Sequence, residues 1–393
     1  MRIEPAPPAA VLARIRAPFE EMGAAAIDPP VMQPLGLILD LSGEAMRERL
    51  ILVQADGGAE AALRPDFTIP AARLHIESGR TGGRYVYEGK AFRAAPKGRD
   101  GYEEFLQIGL EAFETGAAPE ADAEIAGLAW RAAAAGGRKD LTLQLCDVGL
   151  FSAFVDTLGL AEALAARIKR AFASPRRLRE ALDRAVAGAA PAPRSANGDR
   201  LASLLAGLPE AEATAVLQDL WALAGIEPAG GRSAGEIAHR LAERTAVARA
   251  PDLSADQAAL ISRYLAISEA PAKALEAVAR LATPGGAKLE TALKGWARRL
   301  AALKDEGAPM NAMRFSTAFG RDFGYYDGVL FEVRSAALGD HRPVAAGGRY
   351  DSLFARLGAN LACGAVGCMV RPGRAWKDGA PPEGGASPRD SAR

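Results

Sequence analysis

The 393-residue sequence holds only three cysteines and three histidines, and no excess of charge of either sign. Cys146, Cys363 and Cys368 each lie in an apolar run, and an odd count so placed argues against a disulfide framework and for buried thiols of a reducing compartment. Cys363 and Cys368 lack the spacing of a zinc-binding pair, and His75, His239 and His341 are far apart, so no metal site is expected. Lys plus Arg equals Asp plus Glu at 48 each, which gives no general pull toward nucleic acid. No run of about 18 uncharged apolar residues occurs, so no membrane span is expected. The opening MRIEPAPPAA has no apolar core of signal-peptide length, and the expected location is the cytoplasm. No glycine-rich fingerprint follows a strand and opens a helix, which disfavours a dinucleotide-binding fold.

What is present falls into regions of different texture. Residues 1–151 mix patterns. VLARIRAPFEEMG places Val11, Leu12, Ile15 and Phe19 on one helical face, and Pro29, Pro30 and Pro34 force extended chain. RYVYEGKAFR, YEEFLQIGLEAFE and LTLQLCDVGLF read as strands, and Ala121 to Ala135 as an Ala-rich helix. Residues 152–307 have helical spacing throughout, as in Leu164, Ile168 and Phe172 or Leu178, Leu182 and Val186. Breakers at 190–199, 228–233 and 284–286 cut this region into short helices, which predicts a helical insertion. Residues 308–371 return to strands (MRFSTAF, VLFEVRS, AVGCMVR), with AAGGRYDSLFARLG read as a glycine turn opening a helix. Residues 372–393 lack apolar content and are expected to form a disordered tail. Strands on both sides of a helical excursion predict one antiparallel sheet built from two distant halves, an α+β fold.

The most informative stretch is Phe105–Phe113. Alternation puts Leu106, Ile108, Leu110 and Ala112 on one face, an unbroken apolar set suited to packing under helices. The other face takes Phe105, Gln107, Gly109, Glu111 and Phe113. That face reads either as the solvated side of an antiparallel sheet or as the floor of a small polar pocket in which Gly109 leaves room for a ligand.

Four segments together resemble histidyl-tRNA synthetase, a class II aminoacyl-tRNA synthetase. LRPDFT (63–68) is similar to that family's LRPEGT, and residues 91–114 to its second motif and following strand. GRDFGYYDGVLFEV (320–333) is similar to its histidine-specific RGLDYY segment, and residues 345–374 to GGRYD and the start of its third motif. The resemblance implies an antiparallel sheet flanked by helices and a self-dimer formed around Pro29–Pro30. It also implies a histidine pocket. Asp66, a shortened substitute for Glu, and Thr68 would meet the α-amino group, and Arg93 the carboxylate. Gln107 would lie near the amino group and Glu111 near the imidazole, with Arg321, Tyr325 and Tyr326 matching the histidine-specific segment. A zwitterion with an imidazole needs a cation, acceptors for its ammonium and a partner for its ring, and this set supplies all three.

The departures bear on activity. Ala95 stands where the synthetases carry the adenine-holding Glu, and Gly324 stands for the Asp before the tyrosine pair. Arg374 takes the third-motif arginine position, but Pro372 is expected to break the helix there. The anticodon-binding domain would need on the order of 100 further residues. A kept amino-acid pocket beside damaged adenylate chemistry resembles the regulatory subunits of ATP phosphoribosyltransferase. That resemblance implies no catalytic residue and no cofactor in this chain, a short-form catalytic partner in a hetero-octamer, and feedback inhibition by histidine. The alternatives are a divergent or truncated histidyl-tRNA synthetase, or a histidine-binding module with another partner. The loop Asp322–Gly328, with Gly324 and Gly328 as hinges, is the expected ligand-responsive element.

Overall fold

The computed structural model describes residues 2–54, 60–95, 101–114, 119–172, 178–179, 182–183, 208–224, 235, 253–282, 286–317, 319, 324–361 and 363–379. The described elements begin with α1 (Ala9–Glu20), β1 (Ala25–Ala26), β2 (Met32–Pro34), α2 (Leu35–Ser42), β3 (Leu52–Gln54), β4 (Glu60–Leu63) and α3 (Thr68–Glu77). β5 (Gly83–Phe92), β6 (Glu104–Glu114), α4 (Pro119–Ala135), β7 (Leu141–Asp147) and α5 (Val148–Asp156) follow. Then come α6 (Glu162–Ala171), α7 (Glu210–Ala224), α8 (Ala255–Leu265), β8 (Ser268–Glu269), α9 (Pro271–Leu281) and α10 (Ala287–Asp305). The chain closes with β9 (Met313–Ser316), β10 (Val329–Ser335), β11 (Ala345–Arg349), α11 (Leu353–Arg356), β12 (Gly364–Val370) and α12 (Pro372–Ala375).

The main sheet has nine strands in the order β1-β5-β6-β12-β11-β10-β7-β9-β8. The expected union of two distant halves is seen directly, since β12, β11 and β10 insert between β6 and β7. The sheet is not wholly antiparallel, because β1 runs parallel to β5 and β7 parallel to β9. AAGGR is not a glycine turn. It is β11, a buried central strand bonded to β10 on one side and β12 on the other. Two antiparallel neighbours supply the pairing that a run of Ala and Gly does not favour by itself.

Helix α4 covers β11 and β12. Its first turn carries Glu120 and Asp122, which suit the positive end of the helix dipole. Ile125, Leu128, Ala129, Ala132 and Ala133 are buried, and the small residues let the helix approach the sheet closely. The three cysteines are free and buried, and burial raises each thiol's pKa.

The chain divides into one unit of Met1–Ala153 with Ala266–Arg393 and a second of Phe154–Leu265. The second unit is helical where described. Leu164, Ile168 and Phe172 are buried as their spacing predicts, and Phe154 stacks on Tyr264 at 4.6 Å. It is shorter than the expected 152–307, because α9 and α10 belong to the first unit. α10 packs on α4, and the Trp296 indole donates to Asp147 at 2.7 Å. Val186 and the breakers at 190–199 and 228–233 lie outside the described residues.

Residues 372–379, expected to belong to a disordered tail, are ordered, and residues 380–393 lie outside the described residues. Pro372 does not break a helix; it stands at the start of α12, where its missing N–H loses no bond. Arg138 fixes the following chain by donating to the carbonyls of Arg374 at 2.5 Å and Trp376 at 3.1 Å.

Candidate functional site

Strand β6 is buried on both faces, so its polar face is not a solvated one. Leu110 and Ala112 face the apolar side, and Gln107 and Glu111 on the other side are both almost fully enclosed. Glu111 forms the floor of a cavity of about 270 Å³, measured with its open mouth, that Asp66, Thr68, Arg93, Tyr325 and Tyr326 also line. Six of the eight expected ligand positions therefore meet in one place. Gln107 shares their strand face but not the cavity wall, and Arg321 lies outside the described residues.

The carboxyl of Glu111 is a hub for hydroxyl groups. Thr68, on the first turn of α3, donates at 2.9 Å and Tyr87 of β5 at 3.3 Å, and the Tyr350 hydroxyl makes a short bond to the other oxygen. Tyr87 and Tyr350 are positions that sequence reasoning missed. Tyr350 stands within the GGRYD segment, and Tyr87 sits opposite Gly109 on β5. A Cβ at Gly109 would strike the Tyr87 hydroxyl and the Cys368 carbonyl, so this glycine makes room for the protein's own tyrosine and not for a ligand. Gly367 has the corresponding role for the Glu111 carboxyl. Tyr87 in turn stacks on Phe67 at 4.2 Å.

The other walls are held from distant parts of the chain. Tyr325 donates to Asp66 at 2.8 Å, and its ring lies 4.7 Å from that of Tyr326. The backbone N–H groups of Asp327 and Gly328 donate to the Arg349 carbonyl, and the Asp327 carboxyl receives the N–H groups of Asp351 and Ser352. Neither Gly324 nor Gly328 has a positive φ, and a Cβ on Gly328 would press on the Arg349 side chain. Asp322 and Phe323 of this loop lie outside the described residues. Arg93 donates to the Pro65 carbonyl at 2.8 Å and lies 5.4 Å from the Phe105 ring. The Gln107 amide, fully buried, has no hydrogen-bond partner on either atom, a costly state for a polar group. Among the described residues no group of three His, Cys, Asp or Glu is placed to hold a metal ion, and no helix is long and apolar enough to cross a membrane.

Burial pushes the Glu111 carboxyl up to about 8, against the opposing pull of hydroxyl donation from Tyr350 and Thr68. The folded chain thus keeps a proton there that an unfolded carboxyl loses near 4.5. The stability linked to that proton is complete below about pH 4.5 and declines as pH rises toward 8, by at most about 1.4 kcal/mol per unit. Denaturant titrations across this range should show the decline in the wild type. Glu111→Gln should remove this contribution; equal slopes in the two proteins would refute the assignment.

The sheet order and this buried polar cavity define a class II synthetase-like core. A regulatory subunit/histidyl-tRNA synthetase structure from Bacillus halodurans has the same fold, with a TM-score of 0.59 at 20% identity over 92% of this chain and 76% of that one. Histidyl-tRNA synthetase from Nostoc gives 0.57 at 14% identity, over 93% and 69%. The family model for histidyl-tRNA synthetase matches residues 7–229 and 213–372. The ATP phosphoribosyltransferase regulatory subunit of Mesorhizobium japonicum is 35% identical over 365 residues, 92% of this chain and 95% of the relative. That of Agrobacterium fabrum is 35% identical over 346 residues, 87% and 89%. The chain belongs to the ATP phosphoribosyltransferase regulatory subunits, the branch of the histidyl-tRNA synthetase-like family that serves histidine biosynthesis.

Proposed function

We propose that the chain performs no chemistry of its own, activates a short-form ATP phosphoribosyltransferase catalytic chain by assembling with it, and relays feedback inhibition by histidine bound in the cavity on β6. The observation that carries this reading is the set of side chains around the cavity. Arg93 offers a cation for a carboxylate, Asp66 and Thr68 offer oxygen acceptors for an ammonium, and Glu111 offers a carboxyl for a ring nitrogen. Gln107 adds a buried amide on the same strand face. Ala95, in the place of the adenine-holding Glu, speaks for the loss of adenylation.

Mixing the chain with a short-form catalytic subunit tests this reading. A joint peak larger than either protein is expected in size-exclusion chromatography with light scattering, together with a rise in turnover that histidine reverses. Separate elution at micromolar concentration with unchanged turnover would sink the proposal. In the same preparation, histidine-dependent pyrophosphate exchange above background would favour a divergent synthetase instead.

A further inference from the structure

Beside the cavity, the first residues of the chain are seated in the core. The Glu4 N–H donates to the Glu104 carbonyl at 2.8 Å, and the N–H groups of Glu103 and Glu104 both donate to the Arg2 carbonyl, at 2.8 and 3.2 Å. The Arg2 N–H adds a bond of 3.1 Å to the Glu103 carboxylate. Residues 2–4 thus form a short parallel extension along the start of β6. Ile3 points outward and is 58% exposed, which turns the Glu4 side chain inward.

The Glu4 carboxylate meets two guanidinium groups, that of Arg371 buried and that of Arg374 part-buried. Arg371 donates to it at 2.7 and 3.3 Å, and Arg374 approaches to 3.6 Å. The Arg374 Nε is buried and has no hydrogen bond, so this cluster is drawn together by charge without satisfying every donor. The Arg371 guanidinium lies 3.6 Å from the centre of the Phe105 ring, the same ring that Arg93 of the cavity approaches. Burial lowers the Arg374 pKa well below its usual range, and the neighbouring Arg371 lowers it further. Two guanidinium forks beside an aromatic face match the chemistry of a phosphate-bearing ligand as well as they match a carboxylate.

We infer that Glu4 is a tethered anion that occupies the chain's own guanidinium site, so that the N-terminal segment closes this site against phosphate-bearing ligands. A carboxylate held on the same chain competes at a high effective concentration, and a free anion enters only when residues 2–4 lift off β6. Arg371, drawn over Phe105 by the same carboxylate, covers the ring against any planar group. The closure acts independently of Ala95, and it does not rest on the regulatory reading, because it concerns only this chain and its own arginines.

The probe is inorganic pyrophosphate at constant ionic strength, with the thermal midpoint as readout. The wild-type midpoint should not respond over the millimolar range. Glu4→Gln keeps the side-chain shape but removes the anion, and pyrophosphate should raise its midpoint saturably, with an affinity at least roughly tenfold above that of the wild type. Adding Arg374→Gln to Glu4→Gln should abolish that response. Equal responses in the wild type and Glu4→Gln, or an undiminished response in the double variant, would overturn the inference. Hydrogen exchange on the wild-type chain keeps it open to refutation even if Glu4→Gln does not fold. The amides of Glu4, Glu103 and Glu104 should be protected like those of the core, and exchange at the rate of an unfolded segment would show that nothing is seated there.

Discussion

Replacing Glu111 by Ala is expected to weaken histidine binding roughly 10- to 150-fold while the chain stays folded. A hydrogen bond to a charged group contributes about 1.5–3 kcal/mol, which sets this range at about 1.4 kcal/mol per decade. The change also removes the acceptor used by Thr68, Tyr87 and Tyr350. Stranding such donors costs about 1–3 kcal/mol each at most, offset in part because an ionisable group leaves a buried place. The wild-type complex should further show a pH signature. Between the imidazole pKa near 6.5 and the Glu111 value of about 8, the carboxyl is protonated and the ring neutral before binding, so the two together carry the single proton that a carboxylate–imidazolium pair shares in the complex. Affinity is expected to peak in that window and to fall on either side. Leu110→Ala is the control. It points to the opposite face, is fully buried, and should cost about 2–5 kcal/mol of stability with little change in affinity. Calorimetric titration of both variants decides the matter, and an unchanged affinity in a folded Glu111→Ala protein would place the histidine site elsewhere.

The strand that carries this prediction was readable in the sequence because its two faces differ in kind. Alternation alone separates Leu106, Ile108, Leu110 and Ala112 from Gln107 and Glu111. Alternation does not reveal that the polar face is buried, since that depends on side chains from elsewhere that reach over it, Thr68, Tyr87 and Tyr350 among them. Tyr350 reaches Glu111 from a position 239 residues further along, and Glu4 meets Arg371 across 367. No local pattern encodes pairs at such separations. β11 was misread because Ala and Gly carry neither alternation nor β-branching, and its strand character comes from its neighbours. The end of the insertion was misplaced for a related reason. The helices α9 and α10 have the same spacing as those of the second unit, and only packing assigns them to the first.

The core itself should depend strongly on one carboxylate behind the sheet. Asp122, on the first turn of α4, is buried and accepts from Arg349 Nε and Arg299 Nε, each at 2.6 Å. Burial works against the charge on the Arg349 guanidinium, yet Asp122 and Asp351 beside it hold its pKa above the usual value. Asp122→Ala would leave two enclosed guanidinium groups without this partner, and breaking a buried pair in this way costs about 3–5 kcal/mol. For a unit of this size the thermal midpoint should fall by roughly 5–15 °C. Arg349 is placed so that the damage reaches the cavity, since its carbonyl anchors the backbone of Asp327 and Gly328 next to the tyrosine pair. Replacing Asp122 and both arginines with apolar side chains should behave differently, because the desolvation cost of these three charges disappears along with their attraction. Asp122→Ala combined with Arg299→Met and Arg349→Met should therefore recover part of the lost midpoint, and only part, because Asp147, 3.8 Å from Arg299, and Asp351, 2.9 Å from Arg349, then lose a cation. A midpoint within about 1 °C of wild type in Asp122→Ala alone, or a triple variant far less stable than the single, would show that the network does not hold α4, α10 and β11 together through this carboxylate.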